Sequence, residues 1–276
     1  MFTLNCKGRL LTIDKPIVMG ILNITPDSFY KTSRIQQSET LLEKAAEMLA
    51  DGATILDIGG QSTRPGSEFL KADEEMARVI PAIAQVHKHF PDAIISVDTF
   101  WSSVAAEAVK AGASIINDIS AGSIDPVMLS TVAKLNVPYI LMHMKGNPQN
   151  MQQNPFYENL LTEVLDFFIY HIAKFREAGV NDIIIDPGFG FGKTVEQNYL
   201  LLKNMEMLKM TGCILMAGIS RKSMVTRTLE TSAINALNGT TVLNTMALMN
   251  GANILRVHDV KEAIESIKIY NAYTEA

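Results

Sequence analysis

The sequence has few cysteines and no long apolar run, and both scarcities narrow the classes of protein it can encode. Cys6 and Cys213 are its two cysteines among 276 residues, so a disulfide framework is not expected. No apolar run approaches the ~18 residues that a membrane-spanning helix needs. Residues 1–6 also lack the basic start and apolar core of a secretory signal peptide. We therefore expect a cytoplasmic protein without a membrane anchor.

Clusters of basic residues are also missing. The net charge is -5, and lysine and arginine do not form runs, which argues against a nucleic-acid or membrane surface. The histidines are dispersed and no HExxH or paired-cysteine spacing occurs, so a metal site made of protein ligands alone is not expected. The glycine-rich stretch 188–194 is no phosphate loop, because Pro187 stands where that motif requires glycine.

Eight short apolar runs, rich in β-branched residues or methionine, are the main pattern of the sequence. They span residues 17–23, 54–60, 94–99, 115–120, 139–145, 183–188, 214–220 and 254–259. Segments with helical periodicity, such as 40–50, separate the runs, so strand and helix alternate along the chain. This alternation predicts a (β/α)8 TIM barrel, for which roughly 250 residues are typical.

The chain is predicted to form a single domain over residues 1–276, because no linker or low-complexity stretch divides it. Residues 1–16 precede the first run and alternate in polarity. We expect this leader to form a short β-hairpin that closes the floor of the barrel.

Active sites of such barrels lie at the carboxyl ends of the strands, and here those ends carry two kinds of side chain. One kind can bind the N–H and C=O edges of a flat nitrogen heterocycle; it comprises Asp98, Asn117 and Asp186. The other kind comes from strands eight, one and two, which are neighbours in a closed barrel. It should cluster around a phosphate-type anion, and comprises Arg64, Arg256, His258 and Asn23.

Structural roles are the alternative for several of these residues. Asp98 and Asp186 can each bond to nearby loop amides without contacting a ligand. Asp57, inside the second run, is expected to fix the loop that follows it. Support of the fifth strand's end is an alternative for His143 and Lys145, which we do not assign to catalysis. Surface or packing roles are expected for the histidines in helical segments, which are His87, His89 and His171.

Motifs along nearly the whole chain resemble those of the dihydropteroate synthase family of the folate pathway. They are MGILNITPDSF (19–29), DIGGQSTRPG (57–66), SVDT (96–99), IINDIS (115–120), HMKGNPQNMQ (143–152), DPGFGFGK (186–193), SRKS (220–223) and RVHD (256–259). The resemblance implies a transferase that condenses 6-hydroxymethyl-7,8-dihydropterin diphosphate with p-aminobenzoate and releases diphosphate. It also implies Mg2+ as cofactor, a homodimer formed by late, methionine-rich helices, and competition by sulfonamides.

The resemblance assigns a role to each matching position. The pterin-binding positions are Asp98, Asn117, Asp186 and Lys222. The diphosphate-binding positions are Thr63, Arg64, Arg256 and His258, and Asn23 matches the Mg2+ ligand. The p-aminobenzoate positions are Phe29, Pro65, Phe191 and Ser223, with Lys222 close by. The residues expected to act in catalysis are Asn23, Arg64, Lys222, Arg256 and His258.

One loop departs from the family pattern. After Phe29 the family continues with Asp-Gly-Gly, whereas this chain has Tyr30 and Lys31, which reverses a charge. Asp27 can compensate, Lys31 can bind the departing diphosphate, or turnover is reduced. Two alternatives to an active synthase therefore remain: a non-catalytic pterin-binding homologue, and a pterin-dependent methyltransferase on a similar barrel, which would not need the SRKS motif.

Overall fold

The structure contains the predicted barrel, with its strands side by side in chain order. The computed structural model describes residues 1–24, 34–61, 69–146, 151 and 155–276, with side chains of the first helix from Glu39 onward. The strands are β1 (Phe2–Cys6), β2 (Arg9–Ile13), β3 (Ile17–Asn23), β4 (Ile55–Gly59), β5 (Ile94–Asp98), β6 (Ile115–Asp118), β7 (Tyr139–Met142), β8 (Ile183–Asp186), β9 (Ile214–Ala217) and β10 (Ile254–Val257). Strands β3 to β10 are parallel, and β10 pairs with β3 to close the barrel.

At least one helix follows every barrel strand and packs outside it. The helices are α1 (Arg34–Ala50), α2 (Ala72–His89), α3 (Ser102–Ala111), α4 (Met128–Leu135), α5 (Leu160–Glu177), α6 (Val195–Lys203), α7 (Ser223–Thr228), α8 (Leu237–Met249) and α9 (Val260–Thr274). A 3-10 helix, Met205–Thr211, follows α6. Among the described helices, none is long and apolar enough to cross a membrane.

The register of four neighbouring strands places the first part of the mouth in one row. Asn23 pairs with Gly59, Gly59 pairs with Asp98, and Asp98 pairs with Asn117. Because paired residues of parallel strands lie at the same height, side chains far apart in sequence meet at one level. The apolar runs therefore determine which polar residues face each other at the mouth.

The leader forms the predicted hairpin and closes the floor. Strands β1 and β2 pair antiparallel, with Phe2 opposite Ile13. Leu4, Cys6 and Ile13 are buried and pack on a ring of isoleucine and methionine residues at the beginnings of the barrel strands. The opposite face of the barrel strands packs on the helices in a second apolar layer. The hairpin therefore shields the lower apolar layer from water.

Several apolar runs continue past the ends of their strands. Ser120, His143, Lys145 and Gly188 belong to the predicted runs but follow β6, β7 and β8. Parallel strands in small barrels are short, and residues beyond the last paired position turn outward into the loops. These residues consequently form the wall of the mouth.

Replacing Leu4 by alanine tests the floor contact. We expect Leu4→Ala to lower the free energy of unfolding by about 2–5 kcal/mol, because it leaves a cavity between the hairpin and the strand beginnings. The measurement is urea unfolding followed by circular dichroism. Leu10 lies on the same hairpin but is 69% exposed, so Leu10→Ala is the matched control and should change stability by less than about 0.5 kcal/mol. Equal effects of the two changes would contradict the floor packing.

Candidate active site

Carboxylate, amide and guanidinium side chains converge at the mouth of the barrel. Asp98 ends β5, Asp186 ends β8, and Asn117 lies one residue before the end of β6. Arg256 projects from β10 and Asp57 from β4. The structure therefore brings the predicted ring-binding residues together with one of the predicted anion-binding residues.

Arg256 lies between two carboxylates. Its Nη2 is 2.6 Å from Oδ2 of Asp57 and 2.7 Å from Oδ2 of Asp98, and its Nε donates to Asp57 at 2.7 Å. Asn117 donates from Nδ2 to the same Asp57 oxygen at 3.0 Å. Asp57 has no solvent exposure. A single guanidinium thus joins β10 to β4 and β5.

These contacts add to two sequence-based expectations. Asp57 orients Arg256 and Asn117, and most of the loop that Asp57 is expected to fix lies outside the described residues. Arg256 contacts Asp98, a predicted ring-binding residue, although the sequence groups Arg256 with the predicted anion-binding residues. In such barrels, side chains from alternate strands share a layer, and β4, β6 and β10 are alternate strands here. A buried carboxylate also requires a cation or hydrogen-bond donors, and Arg256 is in reach.

Lys222 follows β9, the strand that pairs with β10, and lies just before α7. Its Nζ donates to the carbonyl oxygen of Phe189 at 2.6 Å and lies 4.8 Å from the centre of the Phe191 ring. Ser223 follows as the first residue of α7 and is exposed. Asp186 accepts a hydrogen bond from the Gly188 N–H at 2.8 Å. The loop after β8 is therefore in contact with both the carboxylate and the lysine.

Burial shifts the protonation of these groups. It raises the pKa of Asp98 to about 7, although Arg256 opposes the shift. Burial likewise raises the pKa of Asp186 and lowers the pKa of Lys222 to about 8. Three carboxylates, with Asp57, thus face two cations. Such a site favours a ligand that brings N–H donors or positive charge.

Gly218 lies directly after β9, close to the charged groups. A Cβ at this position would lie 3.7 Å from Oδ2 of Asp186 and 3.7 Å from Nζ of Lys222. Both are ordinary van der Waals distances, so the Asp186 carboxylate and the Lys222 ammonium group both lie close to the backbone at this glycine.

The predicted anion-binding side is more exposed. Asn23 is exposed at the end of β3, and His258 is exposed just after β10. Nδ1 of His258 lies 3.0 Å from Oγ of Ser220. Arg221, the second residue of the SRKS motif, makes a bidentate ion pair with Asp259 at 2.6 and 2.9 Å. Arg221 therefore ties the loop after β9 to the end of β10.

Some predicted site residues lie outside the described residues. They are Phe29, Thr63, Arg64 and Pro65, together with Asp27 and Lys31 of the loop that departs from the family pattern.

The supporting residues His143 and Lys145 lie beside the mouth. His143 is buried and contacts Lys193, and Lys145 pairs with Glu163 at 2.8 Å. His171 lies within α5, and its Nδ1 is 2.9 Å from the carbonyl oxygen of Phe167. These placements agree with the supporting and packing roles expected for them.

Glu75 is a buried carboxylate near the site, and it is not among the residues predicted from the sequence. It lies in α2 with no solvent exposure, and Oε2 accepts a hydrogen bond from Thr99 Oγ1 at 2.8 Å. Among the described residues, Oε1 has no hydrogen-bond partner. Glu75 shares the buried face of α2 with Val79 and Ile83. This spacing of four on an apolar stripe is the signal that would have revealed it.

The donors at the mouth suit a hard metal ion only if a ligand completes the coordination. Within the described ranges, no cluster of three or more histidine, cysteine or acidic residues could hold a metal. The exposed amide of Asn23 offers one oxygen. Mg2+ commonly binds through one or two protein oxygens together with water and substrate phosphate. The donor set is therefore compatible with Mg2+ brought in on a diphosphate.

Comparisons with known proteins agree with the barrel fold. The family described as pterin binding enzyme matches residues 19–258. The Escherichia coli K12 dihydropteroate synthase is 41% identical over 272 residues, covering 98% of this chain and 96% of that protein. The structure of a Yersinia pestis dihydropteroate synthase with a sulfonamide drug has a TM-score of 0.93 and 42% identity, and covers 100% of both chains. A Xanthomonas albilineans dihydropteroate synthase structure with 4-aminobenzoic acid has a TM-score of 0.91 and 38% identity, covering 99% of this chain and 98% of that one.

The barrel, its polar mouth and the family match define a pterin-binding enzyme. Identity over nearly the full length of both chains narrows this class further. The chain belongs to the dihydropteroate synthase family.

Substituting Glu75 tests its buried carboxyl group. Burial, and less strongly Asp98, raise its pKa from 4.5 to about 7, so the folded state holds the proton more tightly than the unfolded state. The stabilisation of the folded state by this bound proton is complete below pH 4.5 and is lost as the pH rises through about 7. When the pH rises from about 5 to 8, we expect the free energy of unfolding of the unsubstituted protein to fall by roughly 2–3 kcal/mol relative to that of Glu75→Gln.

The measurement is urea unfolding at both pH values. Glu74 is exposed on the same helix, so Glu74→Gln is the matched control and should show no such difference. If the unsubstituted protein and Glu75→Gln differ in free energy of unfolding by the same amount at both pH values, the raised pKa is contradicted.

Proposed function

We propose that the mouth of this barrel joins 6-hydroxymethyl-7,8-dihydropterin diphosphate to p-aminobenzoate, forming 7,8-dihydropteroate and releasing diphosphate. The observation that carries the proposal is the contact of Arg256 with Asp57 and Asp98, with Lys222 close by after the neighbouring strand β9. It combines acceptors for a nitrogen-rich ring with cations for an anionic leaving group. Family membership supports the same reaction.

The pterin ring binds to the carboxylates and the amide of the strand ends. Asp98, Asn117 and Asp186 present acceptors and donors to the ring edge, and Lys222 lies beside it. The excess of carboxylates matches a ring with several N–H groups. Asp186 and Lys222 both lie close to Gly218, and their proximity supports placing the ring beside them.

p-Aminobenzoate binds between the loops after β8 and β9. The Phe191 ring offers an apolar wall next to the Lys222 ammonium group. Ser223 hydrogen bonds to the carboxylate of the substrate, and the family resemblance adds Phe29 and Pro65 to this subsite. The relative crystallised with 4-aminobenzoic acid and the relative crystallised with a sulfonamide support this assignment and predict competition by sulfonamides.

The diphosphate binds on the side of β10, β3 and the loop after β4. Thr63, Arg64, Arg256 and His258 bind its oxygens. Asn23 contributes an amide oxygen to Mg2+, and the bound ion supplies positive charge to the leaving group. Because Arg256 also contacts Asp98, it lies at the junction between the ring and the leaving group.

The chemistry requires charge stabilisation more than a nucleophilic side chain. The aryl amine forms a C–N bond to the exocyclic methylene as the C–O bond to diphosphate breaks, and the amine loses a proton. Positive charge develops on the pterin near Asp98 and Asp186, while Arg256 and His258 stabilise the departing anion. Preorganised groups of this kind contribute roughly 3–4 kcal/mol each. No covalent enzyme intermediate is needed.

Two other functions fit parts of the site. A pterin-dependent methyltransferase would use the ring-binding carboxylates, but it would not need the contacts that Lys222 makes with Phe189 and Phe191. A non-catalytic homologue would keep the pterin site and lack turnover. Those contacts disfavour the methyltransferase. The turnover assay described below distinguishes the non-catalytic homologue from an active synthase.

Apolar side chains on the late helices support a homodimer. Val242, Met246 and Met249 of α8 are 46%, 46% and 51% exposed, and they follow one another at helical spacing. Ile269 and Tyr273 of α9 are 69% and 68% exposed. Exposed apolar groups of this size are typical of interaction surfaces. We assign this face to the dimer and place the enzyme in the cytoplasm.

Diphosphate release tests the proposed reaction. The purified protein is incubated with the pterin diphosphate and Mg2+, with and without p-aminobenzoate. We expect diphosphate and dihydropteroate to appear only when p-aminobenzoate is present. Pterin binding without release would favour the non-catalytic homologue, and would direct attention to Lys31.

Asp98→Asn tests the ring-binding carboxylate. We expect pterin affinity to fall roughly 10- to 100-fold, because a charge-assisted hydrogen bond is lost. The fold should persist, since Arg256 keeps Asp57 as a partner. Calorimetric titration with the pterin measures the affinity. Asp73→Asn is the matched control, because Asp73 is exposed on α2; equal affinities of the two variants would remove Asp98 from the site.

Met246→Glu tests the dimer face. We expect the unsubstituted protein to sediment at about twice the 30.3 kDa chain mass, and Met246→Glu to shift toward the single chain, because a buried, unpaired carboxylate disfavours association. Analytical ultracentrifugation makes the measurement. Ile169 is 55% exposed on α5, so Ile169→Glu is the control and should stay dimeric. Dissociation by both changes would contradict the assigned face.

A further inference from the structure

Lys193 is a buried lysine that the proposed reaction does not use directly. It ends the loop after β8, immediately before the Thr194 cap of α6, and is 2% exposed. Its Nζ lies 2.9 Å from Nδ1 of His143, 3.0 Å from the Gly188 carbonyl oxygen and 3.1 Å from the Phe191 carbonyl oxygen. The His143 carbonyl oxygen lies farther away, at 3.5 Å. An ammonium group has three N–H donors, and the three shorter contacts can accept all of them.

His143 supplies the acceptor that does not belong to the loop. The imidazole is 4% exposed, and burial followed by the charge of Lys193 holds its pKa well below the usual value. The neutral ring can accept at Nδ1, which faces the ammonium group. Lys193 therefore connects the loop after β8 to the first residue after β7.

The same loop is tied down at two further points. Tyr157 donates its hydroxyl hydrogen to the Gly192 carbonyl oxygen at 2.8 Å, and Asn198 accepts from the Gly190 N–H at 2.7 Å. Gly192 has a φ of +63°, and a Cβ there would collide with the backbone of Lys145. The loop thus packs backbone against backbone on the residues after β7, and has little space for another conformation.

This loop carries two contacts of the proposed active site. The Phe189 carbonyl oxygen accepts the hydrogen bond from Lys222, and the Phe191 ring lies beside the same ammonium group. The Lys193 ammonium group contacts the carbonyl oxygen of Phe191 itself. A displacement at Lys193 would therefore reach the p-aminobenzoate side of the mouth. Of the proposed ring-binding residues, Asp98 and Asn117 lie on strands outside this loop, whereas Asp186 accepts a hydrogen bond from its Gly188 N–H.

We propose that Lys193, with His143, is a positioning residue for p-aminobenzoate: it fixes the loop that sets Phe191 and Lys222. The inference rests on the proposed function, because it names the substrate that this loop serves. It assigns Lys193 no contact with substrate. Because Asp98 and Asn117 do not depend on this loop, losing the ammonium group should weaken the binding of p-aminobenzoate much more than that of the pterin.

Steady-state kinetics of Lys193→Met test the inference. We expect the KM for p-aminobenzoate to rise about tenfold or more, because small misplacements of binding groups have large effects. The affinity for the pterin diphosphate, measured by calorimetry, should stay within about twofold. Lys203 is exposed at the end of α6, so Lys203→Met is the matched control and should leave both values unchanged.

A milder variant covers the case in which Lys193→Met does not fold. Tyr157→Phe keeps the ring and removes only the hydroxyl bonded to Gly192. It should raise the KM for p-aminobenzoate about two- to threefold without changing pterin affinity. If Lys193→Met folds, an unchanged KM for p-aminobenzoate, or an equal loss of affinity for both substrates, would overturn the inference. If Lys193→Met does not fold, either of these results in Tyr157→Phe would overturn it.

Assays of the unsubstituted protein distinguish a failure of this inference from a failure of the proposed function. If it releases no diphosphate with both substrates, the proposed function fails. If it turns over normally while the folded variants bind p-aminobenzoate unchanged, only the role of Lys193 fails.

Discussion

The ion pair of Arg256 with two carboxylates is the interaction on which the mouth depends. Asp57 and Asp98 come from adjacent strands and contact the same Arg256 nitrogen. Without this shared cation, the two neighbouring carboxylates would repel each other. The guanidinium group has enough donors, in a planar arrangement, to satisfy both. It thereby holds three strand ends in a defined relation and gives the polar mouth its orientation. In the proposed reaction, the ring binds and the anion departs next to this same guanidinium group.

The barrel and the positions of the ring-binding residues could be predicted because they follow from local pattern. Each apolar run is a strand, and each strand ends where polar residues begin, so Asp98 and Asp186 were expected at the mouth. Parallel pairing brings Asn23, Gly59, Asp98 and Asn117 level with one another. The floor hairpin was similarly predictable from the alternation in the leader. These features require only periodicity and the direction of the chain.

The partners of these residues could not be predicted, because they depend on three-dimensional distances. Arg256 reaches Asp57 across 199 positions of sequence, and no local pattern indicates that choice. Glu75 looks like an exposed helix residue among Asp73 and Glu74 until its place on the apolar stripe is considered. Lys193 looks like a loop residue, although the structure surrounds it with acceptors. In each case a buried charge is defined by what surrounds it, and the sequence specifies that environment only through the complete fold.

The register row at the mouth limits how this protein can vary. Successive side chains of a strand point to opposite faces, so a deletion of one residue inside β5 would turn Asp98 away from the mouth. The same deletion in a loop beyond the strand ends would leave the row intact. Lineages of this chain should therefore accumulate changes of length after the strands and remain constant in length within them. Changes in ligand preference should therefore arise mainly through the loops.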